Sequence, residues 1–408
     1  MNNTSPQSPA STVFIHSLIF LFPFLLLITN FGVGLCSFVF LVTAIVYRRQ
    51  GWAALRRHLT DIRGVLIAFG AVWLLALLFV LFNHDGRLRD MEKPLRMLAA
   101  STVMLTVLAC RPQRKALWWG MIAGAVAGAV FIVYQRWGMG VDRPGGLINS
   151  ITFGDIMLCL GLMCLAGTLD FAGRSAVWPS LGALAGLAGS IATGTRGGWL
   201  AIVFSAILLG CYGHVLRGRW RKAVALLALA FLVSTYFIPQ TGARERVDQG
   251  FNDVQQYFNG GESYTSVGIR LELWRSAGQL VAQHPWFGVS PRQARAELEQ
   301  LVTDKRAQPF VLEFEHFHND IMQTLVLGGV VGLLAWLGTL IVPFLFFLRQ
   351  LRHGAPAAPA LAGMLLVLSY FSFGLTEVIF WSVLSSMFYA MMLFLLAGLC
   401  LTAKEETP

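Results

Sequence analysis

Along this chain the apolar residues do not alternate with polar ones. They gather into long blocks, most of them close to the roughly 20 residues a helix needs to cross a hydrocarbon core. Twelve such blocks are predicted as membrane helices, at about 13–30, 31–47, 63–83, 97–110, 116–134, 151–169, 178–194, 197–214, 222–238, 320–347, 357–378 and 382–401. Helix is the natural form, because lipid offers no partner to an unpaired backbone group. The period-two pattern of a membrane barrel is absent. The pattern therefore divides the chain into a membrane part at 1–238, a long polar loop at 239–319 and a second membrane part at 320–408.

The loop has a pattern of its own. Residues 267–283 place Ile269, Leu273, Ala277, Leu280 and Val281 on one stripe at helical spacing, with Arg270 and Trp274 four apart on a neighbouring face. His284–Pro285 ends that helix. Ser290–Pro291 opens another, with Ser as N-cap, Pro in the first turn and Gln293 three residues after the cap. Residues 239–265, rich in Gly, Gln, Asn and Ser, are expected to be less ordered. In the fifth span Gly120, Gly124 and Gly128 share one face, where another helix can approach closely.

Composition agrees with the pattern. The chain of 408 residues is 56% hydrophobic and 13% charged, against about 25% charged in soluble domains. The six cysteines all fall in apolar blocks, so a disulfide framework is not expected. No Lys or Arg precedes the first apolar block, which is read as a membrane helix rather than a cleaved signal.

Charge then orients the chain. With the N-terminus inside, the short inner loops hold sixteen Arg and Lys and the short outer loops seven. This favours both termini inside and the long loop outside. Seven is nevertheless many for short outer loops. Some can pair with Asp85, Asp90, Glu92 and Asp142, and the others suit an anionic ligand, which Arg grips in a bidentate fashion.

Several residues could carry chemistry. His318 stands where the polar loop re-enters the membrane, and an imidazole there can take a proton near neutral pH. As an isolated residue it better suits a helix end at the interface. Arg196, in ATGTRGGW between the seventh and eighth spans, is costly at such a place unless paired or wet. Arg270 lies on the loop helix, and Arg143 and Arg136 lie in or beside a Gly-rich outer loop. Asp155 and Glu377 are acids near the outer ends of spans, as able to pair with outer arginines as to act. No carboxylate pair at glycosidase spacing, no DxD-like or Cys/His metal motif, no P-loop and no GxGxxG is present. Nucleotide and nucleic-acid partners therefore have no support.

The stretch from Arg196 to Gly332 resembles the O-antigen ligase and polymerase superfamily. Four pieces carry the resemblance: Thr195-Arg196-Gly197-Gly198, similar to a Ser-Arg-Gly element; Arg270 with Trp274; His284-Pro285-Trp286-Phe287-Gly288; and His318-Asn319 followed by Gly329-x-x-Gly332, the ligase-type signature. Arg143 with Gly145 and Asn149 is a weaker shared element. Thr for Ser at 195 is a mild departure. The resemblance implies an all-α, GT-C-like integral membrane protein of the bacterial inner membrane, with its active site facing the periplasm. It implies a glycosyltransferase that moves a glycan from undecaprenyl diphosphate to a sugar hydroxyl of lipid A–core, with no cofactor and no metal, by an inverting single displacement. His318 would be the catalytic base and Arg196 and Arg270 the diphosphate-binding residues. Arg143, Asn319, Trp274, Arg136 and Glu377 are further site candidates. An O-antigen polymerase is the nearest alternative. A protein O-oligosaccharyltransferase ranks lower, because those relatives tend to carry an added C-terminal domain. A lipid-linked glycan flippase ranks lowest, because the spans are nearly free of charge.

Overall fold

The computed structural model describes residues 9–82, 86–195, 197–212, 243–353 and 357–403. All the regular structure among these residues is helical, with no strand. The predicted span 222–238 and Arg196 lie outside the described residues. Among the described residues, eight helical stretches are long and apolar enough to cross a membrane: Arg48–Phe82, Leu88–Cys110, Lys115–Gly138, Ser150–Asp170, Gly173–Ala192, Asp320–Arg352, Ala357–Gly374 and Val383–Thr402. The protein is thus a multi-pass membrane protein. The predicted blocks 13–30, 31–47 and 197–214 fall on shorter apolar helices, Pro9–Leu25 (α1), Gly32–Val46 (α2) and Gly197–Cys211, whose regular α-helical part is Leu200–Cys211 (α9).

Two boundaries differ from the sequence expectation. The third span does not begin at 63 but runs as one helix, Arg48–Phe82 (α3), about 50 Å long at 1.5 Å per residue. Gly51, Ala54, Leu55, His58 and Ile62 are buried at helical spacing, so the basic segment expected as loop is amphipathic helix. The fourth span is built from two helices, Glu92–Ala99 (α4) and Ser101–Cys110 (α5), with Lys93 and Arg96 already in its first turns.

The glycines of Lys115–Val133 (α6) do what their spacing predicts. A Cβ on Gly120 or Gly124 would run into the α1 backbone at Phe20 or Pro23. Ser150–Gly167 (α7) and Val177–Ala192 (α8) pack beside α6. Ala357–Gly374 (α14) and Val383–Ala403 (α15) are almost wholly enclosed. Their buried phenols are satisfied: Tyr370 donates to the Ser385 carbonyl at 2.8 Å and Tyr389 to the Thr339 carbonyl at 2.7 Å.

The polar region forms three helices, Ala243–Phe258 (α10), Ser266–Gln283 (α11) and Pro291–Thr303 (α12). Leu273, Ala277 and Leu280 of α11 join Leu298, Phe310 and Phe317 in a second hydrophobic core, separate from that of the spans. The predicted cap is present, Ser290 accepting from Gln293 N–H at 3.0 Å, and Thr265 caps α11 by accepting from Gly268 N–H. The expectation of less order over 239–265 is corrected for α10. That helix is polar overall and leaves Phe251 and Phe258 exposed. Specific bonds hold it instead, with Tyr257 donating to Glu272 at 2.7 Å and buried Asp253 facing Val267 N–H.

The two cores meet at a broken helix. Asp320–Arg352 (α13) is interrupted at Gly329, whose φ of 59° and ψ of −160° are not helical. A break strands backbone amides that need partners. The turn after α11 supplies them: Val330 N–H donates to the Pro285 carbonyl at 2.8 Å and Val331 N–H to the Trp286 carbonyl at 3.2 Å. Val289 N–H in turn donates to Val326 at 2.9 Å. Gly288 and Gly329 both sit at positive φ with the other strand against them, where a Cβ would collide with backbone. The His-Pro-Trp-Phe-Gly turn and the Gly329 break are therefore one structural unit.

Candidate active site around His318

The start of α13 and the end of α14 lie at the same end of the bundle, because Asn319 Nδ2 donates to the Leu375 carbonyl at 2.9 Å. Asn319 also caps α13, its Oδ1 accepting from Ile321 and Met322 N–H. On either side the chain is tied down. Trp274 Nε1 donates to the Phe317 carbonyl at 2.9 Å, and Phe317 N–H donates to Gln323 Oε1 at 3.1 Å. Between these fixed points His318 has φ of +48°, in the left-handed region. A non-glycine residue there costs on the order of 1–3 kcal/mol and persists only where its surroundings over-determine it.

That backbone aims the ring at Glu377, which lies between α14 and α15. His318 Nδ1 is 3.0 Å from Glu377 Oε2. The other carboxylate oxygen accepts from Val378 N–H at 3.0 Å and lies 3.5 Å from His316 Nε2. The two imidazoles meet edge to face at 4.5 Å. Burial pushes the Glu377 carboxyl up, but the His318 hydrogen bond and the His318 and His316 charges outweigh it and hold the group below its ordinary value. Burial pulls the His316 imidazole down, against the opposing pull of Glu377. An ionised carboxylate can only accept, so His318 Nδ1 carries the proton towards it. Nε2 is left as the basic nitrogen, and it has no hydrogen-bond partner among the described residues.

Arg270 and Arg143 come near this pair. Burial lowers the Arg270 guanidinium below its ordinary value; Glu377 raises it and the like charge of Arg143 lowers it further. Arg270 donates from one terminal nitrogen to the Ser266 carbonyl and hydroxyl at 2.9 and 3.1 Å, while its buried Nε has no partner. Two arginines that repel each other, one with an unused buried donor, make a site that favours an anion. Arg143 is exposed, on a loop fixed by the paired bonds between Gln135 and Gly146. Arg136 donates to the Ala192 carbonyl at 2.7 Å and so braces the turn that leads to Thr195. Beside Arg196, buried Thr195 meets Thr193 at 2.8 Å, and Gly198 lies against Asp155.

A cavity of about 1250 Å³ opens next to the site, between the α3 end at Leu75–Phe82 and the broken part of α13. Its walls are mainly apolar, with Arg89 and Lys93 among them, and Trp381 contributes to it. Trp381 also packs 5.5 Å from His316. Lys93 donates to the Phe380 carbonyl at 2.7 Å and so holds the loop that carries Glu377.

Sequence reasoning placed Glu377 among the lesser candidates and missed His316. No local motif joins Glu377 to His318, for 59 residues separate them. Neither does one reveal that His316, His318 and Glu377 offer three ligand atoms within 4.8 Å of one another.

A multi-pass helical membrane protein with a histidine–carboxylate pair and neighbouring arginines is what fold and site define. Residues 181–337 match the family described as O-Antigen ligase. That range holds the α11 helix, the His-Pro-Trp-Phe-Gly turn, His318 and the Gly329 break. A Haemophilus influenzae protein described as "Uncharacterized protein" is 23% identical over 283 residues, which is 68% of this chain and 70% of that one.

Proposed function

We propose that this protein is a glycosyltransferase of the O-antigen ligase type. It takes a glycan from undecaprenyl diphosphate and joins it to a sugar hydroxyl of lipid A–core, at the periplasmic face of the inner membrane. The observation that carries the reading is the 3.0 Å bond between His318 Nδ1 and Glu377, which leaves Nε2 free as a base. The acceptor hydroxyl gives its proton to Nε2 as its oxygen attacks the anomeric carbon. Glu377 fixes the tautomer and steadies the imidazolium. The bond from the anomeric carbon to the diphosphate breaks, the lipid diphosphate leaves, and the anomeric centre inverts. Arg270, Arg143 and Arg196 hold the charge that develops on the leaving group. With arginines in that role the displacement needs no metal, and the energy comes from the donor's own diphosphate bond. The apolar cavity beside Trp381 suits hydrocarbon from a lipid-borne substrate.

The family match at 181–337 supports the transfer chemistry. Purified protein is incubated with donor lipid and, separately, with lipid A–core, a second donor lipid and a protein acceptor. Glycosylated lipid A–core is the expected product. A longer lipid-linked glycan would make the protein a polymerase, a modified protein would make it an oligosaccharyltransferase, and no product in any arm would sink the reading.

A further inference from the structure

We infer that His316, His318 and Glu377 form a binding site for a transition-metal ion of the zinc class, and that the bound ion switches the site off. Two imidazoles and one carboxylate are a familiar zinc donor set, and oxygen-loving Mg²⁺ is a poor match for it. The spacing fits. Zinc bonds of about 2.0–2.1 Å place neighbouring ligand atoms of a tetrahedron roughly 3.3 Å apart. Here Glu377 Oε2 lies 3.0 Å from His318 Nδ1 and the other oxygen, Oε1, lies 3.5 Å from His316 Nε2, so the carboxylate can face an ion with either oxygen or both. All three ligand atoms fall within 4.8 Å of one another. The imidazole side chains are 19% and 18% exposed, so an ion can reach them from water. Three protein ligands leave a fourth position open.

The carboxylate now held by two ring N–H groups would be held by the metal instead. Zinc takes the lone pair of His318 Nδ1, and the proton that sat there moves through solvent to Nε2. In the same way His316 binds through Nε2 and its proton moves to Nδ1, at the expense of the long 3.4 Å contact with His318 N–H. No net proton is released, and no electron is transferred. The nitrogen that serves as base in the transfer reaction is then protonated and cannot accept from a sugar hydroxyl. Metal binding itself does not rest on the glycosyltransferase reading; only the inhibition does.

The test uses the full chain, purified in lipid nanodiscs and freed of metal, with Zn²⁺ as the probe. Competition against a chromophoric chelator should show one equivalent bound. The affinity should fall by more than about 10-fold in His316→Ala and in Glu377→Gln, since even outer-shell changes cost 10–100-fold. Co²⁺ should give the intense visible bands of a tetrahedral site, lost in both variants, while millimolar Mg²⁺ should not compete. Absence of zinc binding, or undiminished binding in both variants, would overturn the site. In a parallel arm, glycan transfer should fall with zinc and return on adding EDTA. Full transfer with zinc bound would overturn the switch. Zinc bound in a protein with no transfer activity under any condition would uphold the site and count against the glycosyltransferase reading.

Discussion

His318 Nδ1 and Glu377 Oε2 lie 3.0 Å apart although 59 residues separate them in the chain. The pairing decides which ring nitrogen can accept a proton. Glu377→Gln keeps the shape but lets the amide donate to Nδ1 as readily as accept from it. Turnover of the purified enzyme should fall by a factor on the order of 10²–10⁴, with donor binding little changed. Turnover within two- or threefold of wild type would remove Glu377 from the mechanism.

Arg270 is expected to act through the fork of its guanidinium, not its charge alone. Arg270→Lys keeps the charge and removes the buried Nε–H that has no partner in the protein. Affinity for the lipid diphosphate should drop by about 10-fold or more, as for the loss of a charge-assisted hydrogen bond. Donor titration of the two proteins measures this, and equal affinities would show that a point charge suffices.

Gly329→Ala tests the broken helix. The new Cβ would meet the Trp286 backbone at a residue held at φ of 59°. The unfolding temperature should fall, with a destabilisation of more than about 2 kcal/mol. The polar helices should also become easier to cleave with protease, because their anchor is the Pro285–Val330 bond. A variant as stable as the wild type would mean that the contact does little for the fold.

The charge bias predicts an orientation that labelling can check. In a cysteine-free background, Gln300→Cys on the exposed face of α12 should react with a membrane-impermeant maleimide added to cells with a permeabilised outer envelope. Lys115→Cys at the start of α6 should be protected until the inner membrane is opened. The reverse pattern would invert the orientation.

The parts of this molecule that obey local rules were legible in the sequence. The apolar stripe of α11, its stop at His284 and the Ser290 cap each depend on residues within one or two turns. So does the glycine face of α6, for which spacing alone predicts a close helix neighbour. What was not legible depends on folding distant parts together. Glu377 reads as one of several acids until Asn319 docks on Leu375 and brings the α14–α15 loop beside His318. His316 has no periodic signal, and only its approach to Glu377 gives it a role. The polar α10 is hidden by composition: Gly, Gln, Asn and Ser dominate the reading of 239–265, although Val247, Phe251, Val254 and Phe258 stand at helical spacing. Two of the motifs that carried the resemblance, at 284–288 and 329–332, looked like separate marks in the sequence and are one contact in space.

That contact has a mechanical consequence. Because the carbonyls of Pro285 and Trp286 complete the ladder of α13, the polar helices and the first turns of α13 are riveted rather than hinged. A displacement of α11 and α12 would travel through the rivet into residues 320–328 and so to the segment on which His318 stands. The polar helices and the segment that carries His318 are thereby one mechanical piece.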